Sequence, residues 1–216
     1  MGKRTSEDPG TGIVLVHGLW NRGWYMAVMA RRLRSRGHRV RVFSYPTRSN
    51  SLRGHADDLY EFINKDSFNE LHFVGHSMGG LLILNMLSRF DQWPPGRVVL
   101  MGCPVAGSGV VKRLEKIPGQ KLLFGNARDS LLKGFRHTPR QHETGMIRGT
   151  RSVGLGRLAG KHDEPNDGTV ALSETQLDGL KDSIELHVSH SQMLISAGVA
   201  EQVEQFLLHG KFKSTC

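Results

Sequence analysis

The sequence predicts an α/β fold: a mostly parallel six-stranded sheet with helices on both faces. Three observations lead there. Strand-like and helix-like segments alternate along nearly the whole chain. The strand-like runs, such as "GIVLVHG" and "GRVVLMG", are almost continuously apolar, as strands covered on both faces are. The segments between them have the length and periodicity of crossover helices. With 216 residues, 38% of them hydrophobic, the chain can bury a substantial core. We expect residues 13–212 to form a single domain between a polar segment, 1–12, and a short tail, 213–216.

Each element can be justified in turn. "GIVLVHG" reads as a buried strand ending in a turn. A helix follows, with Tyr25, Val28, Met29 and Leu33 at helical spacing, and then "HRVRVFSYP" as a second strand. Arg48 to Lys65 places Ala56, Leu59, Tyr60 and Ile63 on one helical face, and "LHFVG" is the third strand. The segment after Ser77 is nearly all apolar, which predicts a helix buried between the sheet and its neighbours. "GRVVLMG", "GMIRGTRS" and "DSIELHV" supply the remaining strands, and Val199, Val203, Phe206 and Leu207 mark a closing helix. Between residues 104 and 144 the pattern loosens, with "SGVVKRLEK" and "ARDSLLKGF" as short helices. Its apolar residues Val110, Val111, Leu114, Leu131, Leu132 and Phe135 predict a partial cap, broken by glycines into short mobile pieces over an open or lightly covered apolar groove.

Composition narrows the function. No run reaches the roughly 18 apolar residues of a membrane span, and "MGKRTSEDPGTG" is polar where a secretory signal is apolar, so a cytoplasmic location is expected. Cys103 follows an apolar run and Cys216 is the last residue, a pattern that favours neither a disulfide nor a cysteine-based metal site. The net charge of +9 is partly concentrated in "RRLRSRGHRVR". Such a stretch suits nucleic acid or an anionic lipid surface. The helical spacing instead puts Arg31, Arg34 and Arg36 on the solvated side of an amphipathic helix, which argues against nucleic acid and leaves peripheral contact with anionic lipid open.

The chemistry centres on "GHSMG". It follows an apolar strand and precedes a helix, the context in which Gly-x-Ser-x-Gly forms a nucleophile elbow. The sharp turn holds the Ser77 backbone in a strained conformation, and small residues at Gly75 and Gly79 let neighbouring chain pass close by. The competing interpretation is a serine helix cap between turn glycines. A serine nucleophile needs a base and an acid that orients the base. Asp167, in the tight "NDG" turn, is the acid in the right place after the serine; Asp163 is its rival in the same loop. His190, just past the last strand, is the base, with His187 as the alternative inside the strand. His17 precedes the serine and is read as shaping the "HGLW" turn. The oxyanion needs two backbone donors, from the residue after the nucleophile and from the loop after the first strand: Met78 and Leu19. Trp20, with Trp24 and Tyr25, is placed to wall a substrate pocket; packing at the helix flank is the alternative for all three.

Other chemistries fit poorly. "HTPRQHE" lacks the His-x-x-x-His spacing of a zinc helix, and "GLGRLAGK" is followed by His162 where a phosphate-binding loop has Ser or Thr. No metal and no cofactor is expected. Through "VLVHGLW", "FVGHSMGG", "NDGTV" and "VSHSQML" the chain from Ile13 to Phe212 resembles the α/β-hydrolase family, in particular the small bacterial lipases and esterases. The resemblance implies an α/β-hydrolase fold in a shortened six-strand form. It also implies a Ser77–Asp167–His190 triad, an oxyanion hole at Leu19 and Met78, and cleavage of small-molecule or lipid esters through an acyl-enzyme. A thioesterase or acyltransferase would use the same residues. A non-catalytic binding module is the alternative outside enzymology.

Overall fold

The computed structural model describes residues 10–115, 118–119, 123–154 and 164–214. Six strands form one sheet: β1 (Thr11–Val16), β2 (Arg39–Phe43), β3 (Glu70–His76), β4 (Arg97–Met101), β5 (Glu143–Gly149) and β6 (Asp182–Leu186), in the order β2-β1-β3-β4-β5-β6. Every pairing is parallel, so the mostly parallel expectation holds without an exception among the described strands. The fifth strand begins two residues before the predicted "GMIRGTRS" and ends at Gly149; the sixth ends at Leu186, before His187.

Helices cover both faces. Helices α1 (Ala27–Arg34) and α6 (Ala197–His209) pack on the face that carries Ile13, Leu15, Val74, Val99 and Met101. Helices α2 (Leu52–Ile63) and α3 (Met78–Arg89) pack on the opposite face, against Val14, Val16, Phe73, Val98 and Leu100. Alternate residues of one strand therefore enter different cores, which is why these strands read as unbroken apolar runs. In α3 the run Leu81 to Leu84 is essentially inaccessible. Each such side chain contributes roughly 1.5–3 kcal/mol of burial, so α3 is anchored by packing rather than by propensity.

Two features depart from the sequence pattern. The buried stripe of α1 is Met26, Met29, Ala30 and Leu33, while Tyr25 and Val28 stay exposed. A 3-10 turn over Gly23–Met26 precedes the helix and rotates its entry by about one residue, which exchanges Tyr25 for Met26 at the core. Between β4 and β5 lie α4 (Gly109–Leu114) and α5 (Arg128–Lys133). Val111, Phe124 and Leu131 are buried in the same core as α2 and α3. Leu114, Leu132 and Phe135 pack against that core and are partly buried.

The strand order places the site. From β1 the chain moves outward to β2 and then returns to β3 on the other side of β1, so connections leaving β1 and β3 diverge to opposite faces. A crevice opens at the carboxyl ends of strands where the order reverses, between β1 and β3 here.

Candidate active site

Ser77 lies at that reversal point, directly after β3 and before α3, with φ 54° and ψ −127°. A non-glycine residue there costs about 1–3 kcal/mol and persists only when its surroundings impose it. The imposing contacts are visible: the Ser77 amide donates to Met101 O at 2.9 Å, and Gly80 N donates back to Ser77 O at 3.0 Å. The glycines serve close approach. A Cβ on Gly75 would sit 2.5 Å from Gly80 Cα, and one on Gly79 would collide with the Val16 and His17 carbonyls. Gly18 faces the serine itself, since a Cβ there would come 2.8 Å from Ser77 Cβ. The protein's own capping serines are a useful contrast. Ser51, Ser108 and Ser196 have extended φ/ψ and accept an amide hydrogen from Gly54, Val111 and Val199; Ser77 does neither. The helix-cap interpretation does not fit it.

Asp167 and His190 are brought together although 23 residues separate them: His190 Nδ1 and Asp167 Oδ2 are 2.7 Å apart. The aspartate is 1% exposed. Its other oxygen, Oδ1, accepts the Thr169 and Val170 amides at 2.9 and 2.7 Å, and its backbone carbonyl accepts the His190 amide at 2.8 Å. Gly168 turns the chain with φ 91° and donates to Asn166 Oδ1, so the "NDG" turn fixes the direction of the carboxylate. Burial by itself would raise the Asp167 pKa. The adjacent His190 and the two amides outweigh it and hold the carboxyl below its ordinary range. A carboxylate immobilised beside Nδ1 fixes the orientation of the imidazole ring. Asp163, the rival acid, lies outside the described residues. His187 lies beyond the end of β6 and is exposed.

The loop after β1 is built around His17. This buried ring stacks on Tyr45, accepts the Tyr45 amide at Nε2 and donates from Nδ1 to Gly18 O, while Tyr45 Oη donates to His17 O at 3.0 Å. Burial lowers the His17 pKa, which matches a neutral ring with one donor and one acceptor. Leu19 follows, partly buried, and Trp20 has φ 60°, with its amide donated to Thr47 Oγ1 at 3.2 Å. The Trp20 ring reaches the segment after β4, donating to Leu123 O at 2.7 Å and stacking on Phe124. Met78 is the first residue of α3, so its amide has no acceptor inside the helix. Trp24 is 66% exposed and stacks on Tyr25, also exposed, which does not fit core packing at the helix flank.

Two site residues escape sequence reasoning. His76, 2% exposed, directs Nε2 to His190 O at 2.9 Å, and its ring lies 4.5 Å from the His190 ring. Burial, with nearby His190 next, pushes its pKa down to about 3, so it is neutral and holds the His190 backbone as a donor. The available signal was a histidine ending an otherwise apolar strand. Gly102, directly after β4, has φ 53°; a Cβ there would meet Asp167 Oδ2 at 2.9 Å and His190 Nδ1 at 3.0 Å. Of the residues considered for metal, His142 is buried against Phe73, whereas Glu143 points to Arg97 and Lys181. Among the described residues no group of three or more His, Cys, Asp or Glu side chains is arranged to hold a metal ion, and no helix is long and apolar enough to cross a membrane.

A parallel sheet with a strained serine after its third strand and a buried aspartate–histidine pair beside it is the architecture of an α/β hydrolase. The model of the Alpha/beta hydrolase family matches residues 13–182, and the chain belongs to that family. Among curated proteins it is 31% identical over 121 residues to a probable esterase of Oryza sativa subsp. indica, covering 51% of this chain and 46% of the relative. It is 33% identical over 88 residues to a carbendazim hydrolyzing esterase of a Nocardioides species, covering 35% of each. The matches thus span about half or less of those relatives. A solved lipase of Bacillus licheniformis shares the fold with a TM-score of 0.69 at 16% identity, covering 96% of this chain and 95% of that one. A type II thioesterase from the borrelidin biosynthetic cluster does so with a TM-score of 0.65 at 14% identity, covering 95% and 94%.

Proposed function

We propose that the protein hydrolyses carboxylic esters in two steps through an acyl-enzyme on Ser77. The observation that carries this is the Ser77 backbone, held in a strained turn that performs no capping, directly after His76, whose ring contacts the His190 of a hydrogen-bonded Asp167–His190 pair. In the first step His190 takes the Ser77 proton as Oγ attacks the ester carbonyl. The Leu19 and Met78 amides bind the oxyanion, and Asp167 stabilises the imidazolium. Collapse expels the alcohol, which receives the proton from His190. Water then repeats the attack on the acyl-enzyme with His190 again as base, releasing the acid and free Ser77. Trp20, at the edge of the oxyanion loop, contacts the substrate in this reading. Esterase-named relatives support it, as does the histidine's position between a buried acid and the accessible end of the sheet.

A fluorophosphonate tests the reading. One covalent label is expected, at Ser77, and Ser77→Ala should lower turnover of a 4-nitrophenyl ester by about a million-fold. Labelling elsewhere, or near-normal turnover of the variant, rules the reading out. Running the same assay on an acyl thioester separates an ester hydrolase from a thioesterase with the same residues.

A further inference from the structure

The charge of the chain is unevenly placed. Its net +9 arises from 29 basic and 20 acidic residues, and residues 9–56 hold nine arginines and no acidic residue, so the rest of the sequence is balanced. That stretch builds β1, α1 and the outer strand β2. Arg36, Arg39 and Arg41 meet Glu204 or Asp66, while Arg32 and Arg34 donate to the Ile195 and Val40 carbonyls. Arg22 and Arg31 are exposed and have no carboxylate partner among the described residues. Large apolar side chains lie between these cations. Trp24, Tyr25 and Val28 are exposed, the first two stacked with ring centroids 3.8 Å apart. Met26, Met29, Ala30 and Leu33 take the core side, so the helical period turns Val28 and Arg31 outward together. Exposed Ile195 borders them, since its carbonyl accepts from Arg32. The outer side of a helix is convex, and the groove of about 830 Å³ that Trp20 and Arg22 line includes none of Trp24, Tyr25, Val28 and Arg31.

We propose that this face docks on an anionic lipid surface, with Trp24, Tyr25 and Val28 at the level of the headgroups and Arg22, Arg31 and Arg34 against the lipid phosphates. Charge complementarity and the mixture of aromatic and cationic side chains select this occupant. A second copy of the chain would set like charge against like charge. Nucleic acid would use the arginines but leave Val28 and Ile195 exposed, and a convex face offers a single strand no channel. The inference goes beyond the ester-hydrolase reading and does not depend on it. Position connects the two: Trp24 follows Leu19 by five residues and Ile195 follows His190 by five, at most about 18 Å of chain in each case. Docking therefore brings the oxyanion loop and the His190 loop close to lipid.

Flotation of Ser77→Ala protein with vesicles tests this without turnover, comparing pure phosphatidylcholine with the same lipid containing one third phosphatidylglycerol. Partition into the anionic vesicles about ten-fold or more above the neutral ones is expected at about 0.1 M salt, and its collapse at about 1 M, where the screening length falls from about 10 to 3 Å. Arg31→Gln and Arg22→Gln should each weaken anionic partition about five-fold. Arg89→Gln removes the same charge from α3 on the opposite face of the sheet and should change it less than about two-fold. Trp24→Ala should weaken partition about ten-fold and abolish most of the blue shift of tryptophan emission that lipid induces. With Ser77 intact, Arg31→Gln should leave turnover of a dissolved 4-nitrophenyl ester unchanged. Equal partition into both vesicle types, or a loss from Arg89→Gln as large as that from Arg31→Gln, overturns the proposal. Retention of an oligonucleotide that needs Arg31 but not Trp24, without vesicle binding, assigns the face to nucleic acid and overturns it as well. Loss of vesicle binding leaves the ester-hydrolase reading standing, and absence of Ser77-dependent turnover leaves the docking result standing.

Discussion

The two ends of the sheet carry similar residues in opposite arrangements. At the carboxyl end, His190 meets Asp167 at 2.7 Å, with the acid 1% and the histidine 12% exposed in their side chains. At the amino end, His72 faces Glu70 at 3.5 Å, but here the histidine is 4% and the acid 41% exposed. His72 Nδ1 also accepts the Arg97 amide at 2.9 Å, and burial pushes its pKa down to about 4. A general base needs a ring nitrogen that can reach substrate, and its orienting acid needs rigidity; the amino-end pair has these reversed. A second groove, about 210 Å³, borders that pair, yet none of its described lining residues has the strained backbone of Ser77. A histidine next to a carboxylate is therefore weak evidence of catalysis until it is known which partner is buried and which end of the strands they share.

The comparison can be broken most directly by removing the pairs. Asp167→Asn should lower kcat by about 10⁴-fold, and His190→Ala by at least as much. Glu70→Gln at the other end should leave turnover near that of the unaltered protein. A large loss from Glu70→Gln, or a small one from Asp167→Asn, would reverse the assignment of the two ends.

A subtler contrast uses glycines with positive φ at each end. Gly102→Ala would push a methyl group between Asp167 Oδ2 and His190 Nδ1, and a misplacement of that kind costs on the order of 100-fold in turnover. Gly210, the left-handed cap of α6 with φ 68°, would bring its methyl to 2.8 Å from Glu143 Oε2. Gly210→Ala should cost about 1–2 kcal/mol of stability by urea unfolding and leave kcat intact below the transition.

A further contrast concerns pH. His72 and His76 are held neutral, with native pKa values near 4 and 3, whereas an unfolded histidine titrates near 6.5. Between those values the unfolded chain binds a proton that the native state refuses. Stability is thus full above about pH 6.5 and falls on acidification, by up to about 1.4 kcal/mol per pH unit for each histidine. Asp167, depressed by His190 and two amides against the effect of burial, adds its own loss only below about pH 4. Urea midpoints across this range should show the decline, and His72→Gln should flatten it. A flat profile in the unaltered protein would mean that these rings are protonated in the native state.

Much of the site was legible because its signals are local. "GHSMG" after an apolar strand specifies a turn whose serine has few alternatives, and "NDG" specifies a turn that directs its own carboxylate. What escaped depends on contacts distant in sequence. His76 acquires its role from a carbonyl 114 residues away, and Gly102 from two side chains it never adjoins in the chain. Tyr25 was misplaced because a single 3-10 turn shifts the phase of a helix, and periodicity counts residues without knowing where the helix begins.

By itself, then, the sequence determined the alternation of strands and helices, the doubly covered sheet and the backbone strain at Ser77, since each follows from side-chain periodicity or from dihedral preferences within a few residues. Only the tertiary structure decided that Asp167 meets His190 rather than solvent, that Val111, Phe124 and Leu131 join the core beside α2 and α3, and that Arg22 and Arg48 line one groove. Those outcomes depend on which strand ends lie side by side. The order β2-β1-β3-β4-β5-β6 is set by how the whole set of apolar faces can be buried at once, a condition that no local stretch of sequence contains.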